Sequence, residues 1–310
     1  MNPTKVIAII LIVAGGLGLA YGGFSYTKET TGVKLGPIEL KVEEKEHVTV
    51  PLLVSAAGIA ALTTTQIGAI TSTQIQAIST SGIASLTTSQ VSVLTTTTIA
   101  ALTTDQVAAI STAGIAALTT TQVVVIESSD IAALTTTQIA KITTTDMAVL
   151  TTTQIVALTT DQIPAFSTGQ IAGLTTTQVA ALQTSDIAAL TSGQVRGIET
   201  TDLVQLTTTQ IVALMSDQVI GLSTAQVAAL TTTQIVAMET SDFASLSSSQ
   251  LRAISTTDLA AITTTQIAAL TTDQISGLRT DQIALLTTTQ FAVIETSDIA
   301  ALTSAQVRAI

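Results

Sequence analysis

From Ile59 onward one eight-residue phrase repeats without a slip of register. Thirty-one complete octads fill residues 59–306, and Val307–Ile310 begin another. The run IAALTTTQIAKITTTDMAVLTTTQ, Ile131–Gln154, holds three of them. So short a period leaves no room for elements of ordinary length, so the chain must tile. Position 1 of the octad is always large and apolar (Ile, Val, Leu, Met or Phe), and so is position 4 (Leu, Ile, Met or Phe). Position 3 is usually Ala or another small residue, and position 6 is Ser or Thr in every octad. Position 8 is Gln or Asp except at Gly82, Thr98 and Gly114.

Thr, Ile and Val favour strands by propensity. A strand, however, would put positions 1 and 3 on one face and position 4 on the other, so both faces would need cover. It would also need turn residues at fixed places, whereas Asn is absent after Asn2 and the glycines wander. A helix accounts for more. Thr or Ser at position 5 and Gln or Asp at position 8 have the spacing of a capping box, and the apolar residues at positions 4 and 1 then fall at N′ and N4, as a hydrophobic staple. In Leu134–Ile139, Thr135 caps, Gln138 reaches back and Leu134 packs on Ile139. Glu at position 5 (Glu127, Glu199, Glu239, Glu295) is a poor cap, and the unbroken Ser/Thr at position 6 offers an alternative cap there. Pro164, at position 2, falls just past the first turn, where proline is tolerated. One octad buries too little to offset the ordering of its own backbone, so stability must come from stacked neighbours. The expected fold is an N-terminal transmembrane helix followed by an α-solenoid of octapeptide helical repeats. Its core is Ile, Leu and Ala and its surface Thr, Ser and Gln; a β-solenoid is the alternative.

A second period lies over the first. The sparse charges recur at every seventh octad. Asp105, Asp161, Asp217 and Asp273 form one series, Asp130, Asp186, Asp242 and Asp298 another, and Asp146, Asp202 and Asp258 a third; Arg196, Arg252 and Arg308 keep the same interval. Duplication of a seven-octad segment is one account. The other is geometric: seven octads complete a whole number of superhelical turns, and each series lines one side.

Before the octads lie residues of another kind. Val6–Phe24, VIAIILIVAGGLGLAYGGF, is nineteen residues without a charge, long enough to cross a bilayer. Residues 1–5 form a cytoplasmic tip, residues 6–24 the membrane helix and residues 25–58 a juxtamembrane segment, with residues 59–310 as the solenoid. A cleaved signal peptide is the rival reading of the apolar run. Ala14, Gly18 and Gly22 form a small-residue row suited to membrane helix packing. Lys34–Pro51, alternating apolar and polar residues around EEKEH, reads as a short β-hairpin. Val48–Leu62 is apolar enough to be a possible second span. With one span the repeats lie outside the cytoplasm; with two they lie inside. The opening MNPTKVIAIILIVAGGLGLAYGGFSYTKET and KLGPIELKVEEKE resemble a family of small bacterial inner-membrane proteins with two spans. That resemblance implies the bacterial inner membrane and no activity. The octads resemble the LTTxQ arrays of large bacterial proteins loosely labelled haem-utilisation or adhesin-like. The haem label finds no support in residues 59–310, which contain no His, Cys or Tyr to ligate iron.

Composition excludes much chemistry. Only 10% of residues are charged and 2% aromatic, with no Cys and no Trp. Thiolate catalysis and Cys-ligated metal are therefore ruled out, and His47 stands alone without a partner for zinc or a triad. The net charge of −11 falls on residues 59–310, which hold sixteen acids against Lys141, Arg196, Arg252, Arg279 and Arg308. Nucleic acid wants the opposite sign. Acid pairs such as Glu127 and Asp130 are poor calcium ligands without a Gly-turn loop. No cofactor and no small-molecule substrate is expected. The chain reads as a non-enzymatic, membrane-anchored repeat protein, a structural spacer, scaffold or self-assembling filament subunit, with Val307 and Ile310 as an exposed repeat end. The alternative is a surface adhesin or ligand-binding module using one solenoid face, where the Asp130 series and the arginines are the candidate residues.

Overall fold

Each octad folds as one short helix and one corner, an α-helix everywhere except at the 3-10 turn Ile163–Ala165. The α-helices are four to six residues long, and from Thr64–Gly68 onward each starts from an N-cap at position 5. In the octad pair around Thr135, the Thr135 backbone is extended (ψ 156°), its hydroxyl accepts the Gln138 N–H at 3.3 Å, and the Gln138 Oε1 accepts the Thr135 N–H at 2.8 Å. This reciprocal pair satisfies two of the donors that a helix start leaves open. Leu134, just before the cap, is also extended (ψ 136°). Two extended residues in succession turn the chain, and the next helix begins in a new direction. Leu134 and Ile139 are both buried, as the staple requires.

The cap stays at position 5 even where the residue there caps poorly. Glu127, Glu199, Glu239 and Glu295 keep extended N-cap backbones and give no side-chain cap hydrogen bond. The alternative cap at position 6 is thereby overturned, because positions 4 and 1 must remain buried and they set the phase. Residues 59–310 contain no strand, which removes the β-solenoid. Strand propensity yields here to capping and to burial of one apolar pair per octad.

The computed structural model describes residues 23–35, 38–49 and 56–310. The chain divides into two units, Met1–Val125 and Ile126–Ile310. The first contains an antiparallel hairpin, β1 (Gly23–Leu35) with β2 (Ile38–Thr49), pairing from Gly23↔Thr49 to Leu35↔Ile38 with a register shift between Thr27 and Glu29. The strands are linked across residues 36–37. The EEKEH run is therefore inside β2 and not at a turn, and the segment from Lys34 supplies only one complete strand. Of the apolar run Val6–Phe24, residues 6–22 lie outside the described residues, and Gly23 and Phe24 belong to β1. Of Val48–Leu62, residues 50–55 lie outside the described residues; Val48 and Thr49 end β2, and Ala56–Ala60 is a five-residue helix. Among the described residues no helix is long and apolar enough to cross a membrane.

Within each unit the helices wind into superhelical turns. Helices pack against the helix three further along, as Ala56–Ala60 does on Thr80–Ala84 in the first unit and Ser192–Gly197 on Ser216–Gly221 in the second. Hydrogen bonds reach one helix further: Gln90, on the fourth helix after Ala56–Ala60, binds carbonyls at that helix's end. A turn thus holds between three and four octads, in the way an α-helix turn holds between three and four residues. The core runs along the axis of each unit and is built from positions 1 and 4, with Met147, Leu150, Phe243 and Leu246 all buried.

This tiling yields a length rule. Removing the whole octad Val227–Gln234 is expected to preserve the helical circular dichroism signal and a cooperative melt. Removing Thr231–Thr233 alone shifts every downstream apolar residue out of phase and is expected to abolish the cooperative melt of the second unit. Thermal melts of the two variants beside the parent check it.

Candidate functional site

Glutamine recurs at position 8, and from Gln90 onward these glutamines are buried. Gln178 and Gln194 are 2% and 3% exposed. The expectation that glutamine dresses the surface is wrong, and the reason lies in where each amide goes. The Oε1 of Gln194 accepts the Thr191 N–H at 2.7 Å, closing its own helix cap, while its Nε2 donates to the carbonyls of Ile163 (2.8 Å) and Phe166 (2.7 Å), 31 and 28 residues earlier. Gln106 does the same to Ile75 and Ile78 in the first unit, and Gln178 to Met147 and Leu150 in the second. These carbonyls stand at the end of an earlier helix, where intrahelical donors run out; that of Ile163 also accepts the Phe166 N–H at 3.2 Å. Thr98 stands in for Gln, its hydroxyl donating to the Ile70 carbonyl at 3.1 Å. No buried side-chain nitrogen or oxygen among the described residues lacks a partner.

Aspartate at position 8 cannot play this part. It is one methylene shorter, and when ionised it offers only acceptors. It takes a hydroxyl in exchange. Thr176, Ser216 and Thr272 donate to Asp202, Asp242 and Asp298, each at 2.6 Å, and Thr232 donates to Asp258. Every donor stands at position 6 on the preceding superhelical turn, which gives that invariant hydroxyl a use that capping does not. Elsewhere the same hydroxyl reaches a carbonyl of the following turn, as Ser192 does to Asp217 at 2.9 Å. Position 3 meets position 6 as well. A Cβ on Gly197 would lie 2.5 Å from the Thr168 methyl, and one on Gly221 2.8 Å from the Ser192 Cβ. Both partners belong to the preceding turn, so this contact keeps position 3 small.

The charges singled out in the sequence separate into two environments. Asp130, Asp186, Asp242 and Asp298 are buried, at 1% to 5% exposed. Arg196, Arg252 and Arg308 stand at position 2 and are exposed. The two series therefore do not form one charged face. Asp105, Asp161, Asp217 and Asp273 are exposed; Asp105, Asp217 and Asp273 stand in the first turn of a helix, where they complement the helix dipole. In the acid pairs, Glu127, Glu199, Glu239 and Glu295 point to solvent while the aspartate three residues on is buried. The two carboxylates do not share a site, and the described residues contain no group of three acids or histidines able to hold a metal. Arg279 binds Asp281, Nε to Oδ1 at 3.0 Å, and this hydrogen bond holds the Asp281 carboxyl below its usual pKa. Burial pushes the Asp186 carboxyl in the opposite direction. Val307 and Ile310 are exposed. Ala14, Gly18 and Gly22 lie outside the described residues.

The arrangement can hold turns together and keep them in register; it gathers no nucleophile, base or metal ligand at one point among the described residues. A pattern for the ALTTAQ repeat matches residues 123–160, 160–192, 195–232 and 235–272, together just under half of the chain. No curated protein matches it.

The buried amide makes a sharp prediction. Gln194→Glu replaces a donor by a carboxylate facing the Ile163 and Phe166 carbonyls. It is expected to destabilise the second unit by about 2–3 kcal/mol at pH 7. Acid recovers part of this as the new carboxyl is protonated and regains a donor. Urea melts of parent and variant at pH 7 and pH 4 measure both effects.

Proposed function

We propose that residues 59–310 serve as a non-enzymatic structural array, a spacer or scaffold. In this reading the apolar residues 6–22 tether the array to the bacterial inner membrane, and the repeats lie outside the cytoplasm. One observation carries the proposal: the recurring polar groups are consumed inside the fold. Glutamine amides, position-6 hydroxyls and position-8 carboxylates hydrogen-bond from turn to turn. What is left outward is mostly Ala and Thr, with isolated charges and scattered apolar residues. Catalysis and ligand capture need polar groups converging on a point; this chain distributes them evenly along its length. Even distribution suits a part whose task is to hold separation and stiffness. Val156 and Val212, 45% and 42% exposed and seven octads apart, support lateral self-association as a second element of the same role.

Stiffness can be measured directly, since the chain has no Cys. Spin labels on Val156→Cys and Val212→Cys in the full chain are expected to give one narrow distance distribution between pulsed-resonance partners. A broad or multi-peaked distribution means that the array flexes between those octads, and the spacer reading is then wrong.

A further inference from the structure

The cap-to-corner stretch Thr159–Phe166, from position 5 of one octad to position 4 of the next, departs from its counterparts, and its effect appears one turn later. Elsewhere the position-2 N–H donates to the position-6 carbonyl, as Ala140 does to Thr136 at 3.1 Å and Ala292 to Thr288 at 3.0 Å. Pro164 has no N–H to give. The α-helix is replaced there by a single 3-10 turn, Ile163–Ala165, and Thr160 is left outside it. In sequence Thr160 stands to Asp186 as Thr176 stands to Asp202 and Ser216 to Asp242, pairs in which the earlier residue donates its hydroxyl to the carboxylate. It makes no hydrogen bond to Asp186. That carboxylate is 1% exposed and accepts only the Gln183 N–H, at 3.1 Å to Oδ2.

No positive charge compensates it. Between Lys141 and Arg196 the sequence has no Lys, Arg or His. The 3-10 turn Ile163–Ala165 and the helix Thr208–Val212 pack on its helix Thr184–Ala189. Just before the first lies Asp161, which is exposed; the second has no titratable residue. A buried, under-donated carboxylate resists ionisation, and its pKa is raised accordingly. Protonation supplies an O–H, the kind of donor that glutamine provides at this position in other octads.

We propose that the contact between the Pro164 octad and Asp186 is a proton-gated seam: ionised Asp186 loosens this turn relative to its neighbours, and protonated Asp186 closes it. The sign follows from linkage. A raised folded-state pKa contributes stability that is complete below the ordinary value of 3.8 and is lost as pH rises through the raised value. Hydrogen exchange of the full chain from pH 4 to pH 8, corrected for intrinsic rates, reads the opening of residues 155–190. Opening is expected to become rarer on acidification, by up to about tenfold per pH unit within the titration window. The equivalent turn at residues 216–242 should show no such dependence. Asp186→Asn should hold the seam closed at every pH. Pro164→Ala, which returns the missing N–H and brings Thr160 back to the carboxylate, should flatten the dependence with Asp186 still present, and it decides the matter if the Asn variant does not fold. A pH dependence that survives Asp186→Asn or Pro164→Ala, or that is equal at residues 216–242, overturns the proposal.

Discussion

The structure rests on what one primary amide can do from a buried position. A glutamine side chain has an acceptor at one oxygen and two donors at one nitrogen. In this fold the acceptor closes the cap of its own helix and the donors close the end of a helix four units earlier. Local and long-range order therefore depend on the same atoms. A helix of one turn is not stable alone, because its nucleation cost is not repaid. Here, in the glutamine octads, the start is satisfied from within the unit and the end of the earlier helix by the next superhelical turn. Leaving either end open in the core would cost the desolvation of a backbone group.

From this link follows the winding. Hydrogen bonds between turns skip 25 to 31 residues, centred on 28, which is three and a half octads. A half-integral turn has two consequences. No octad lies directly beneath another, so each packs between two on the adjacent turn, with position 3 set against position 6. Moreover, two turns take seven octads, so residues seven octads apart return to equivalent places. The seven-octad recurrence of charge thus coincides with the geometry of the winding, whatever the history of duplication. It also explains why glutamine and aspartate both occupy position 8. Their partners differ, carbonyls for the amide and a hydroxyl for the carboxylate, yet both are presented by the neighbouring turn within a few residues of one another.

Such a fold is uniform by construction, so a departure from the pattern is informative. Pro164 removes one N–H, and the loss is transmitted to Asp186 because the two octads face each other across one turn. A side chain that is harmless locally thereby changes the ionisation of a distant one. The same logic governs the four Glu caps. They are poor caps, but positions 4 and 1 keep the phase and the exposed Glu side chains are tolerated at the corner.

The octad, its helical character, the cap at Thr135 and its counterparts, and the burial of positions 1 and 4 were legible from the sequence. All of these are relations between near neighbours in the chain, where capping spacing and apolar period act directly. The hairpin was only half legible, since alternation marked β2 while the apolar residues near Phe24 disguised the start of β1. Glutamine burial was not legible at all. An amide reads as surface until the carbonyls it serves are located, and backbone carbonyls are the same in every residue. Nor does any octad name its partner on the neighbouring turn, because all octads are nearly alike. That choice is made by the angle of each two-residue corner, accumulated over a turn. Only the tertiary structure could decide which carbonyl meets Gln194, which hydroxyl meets Asp242, and that Asp186 meets none.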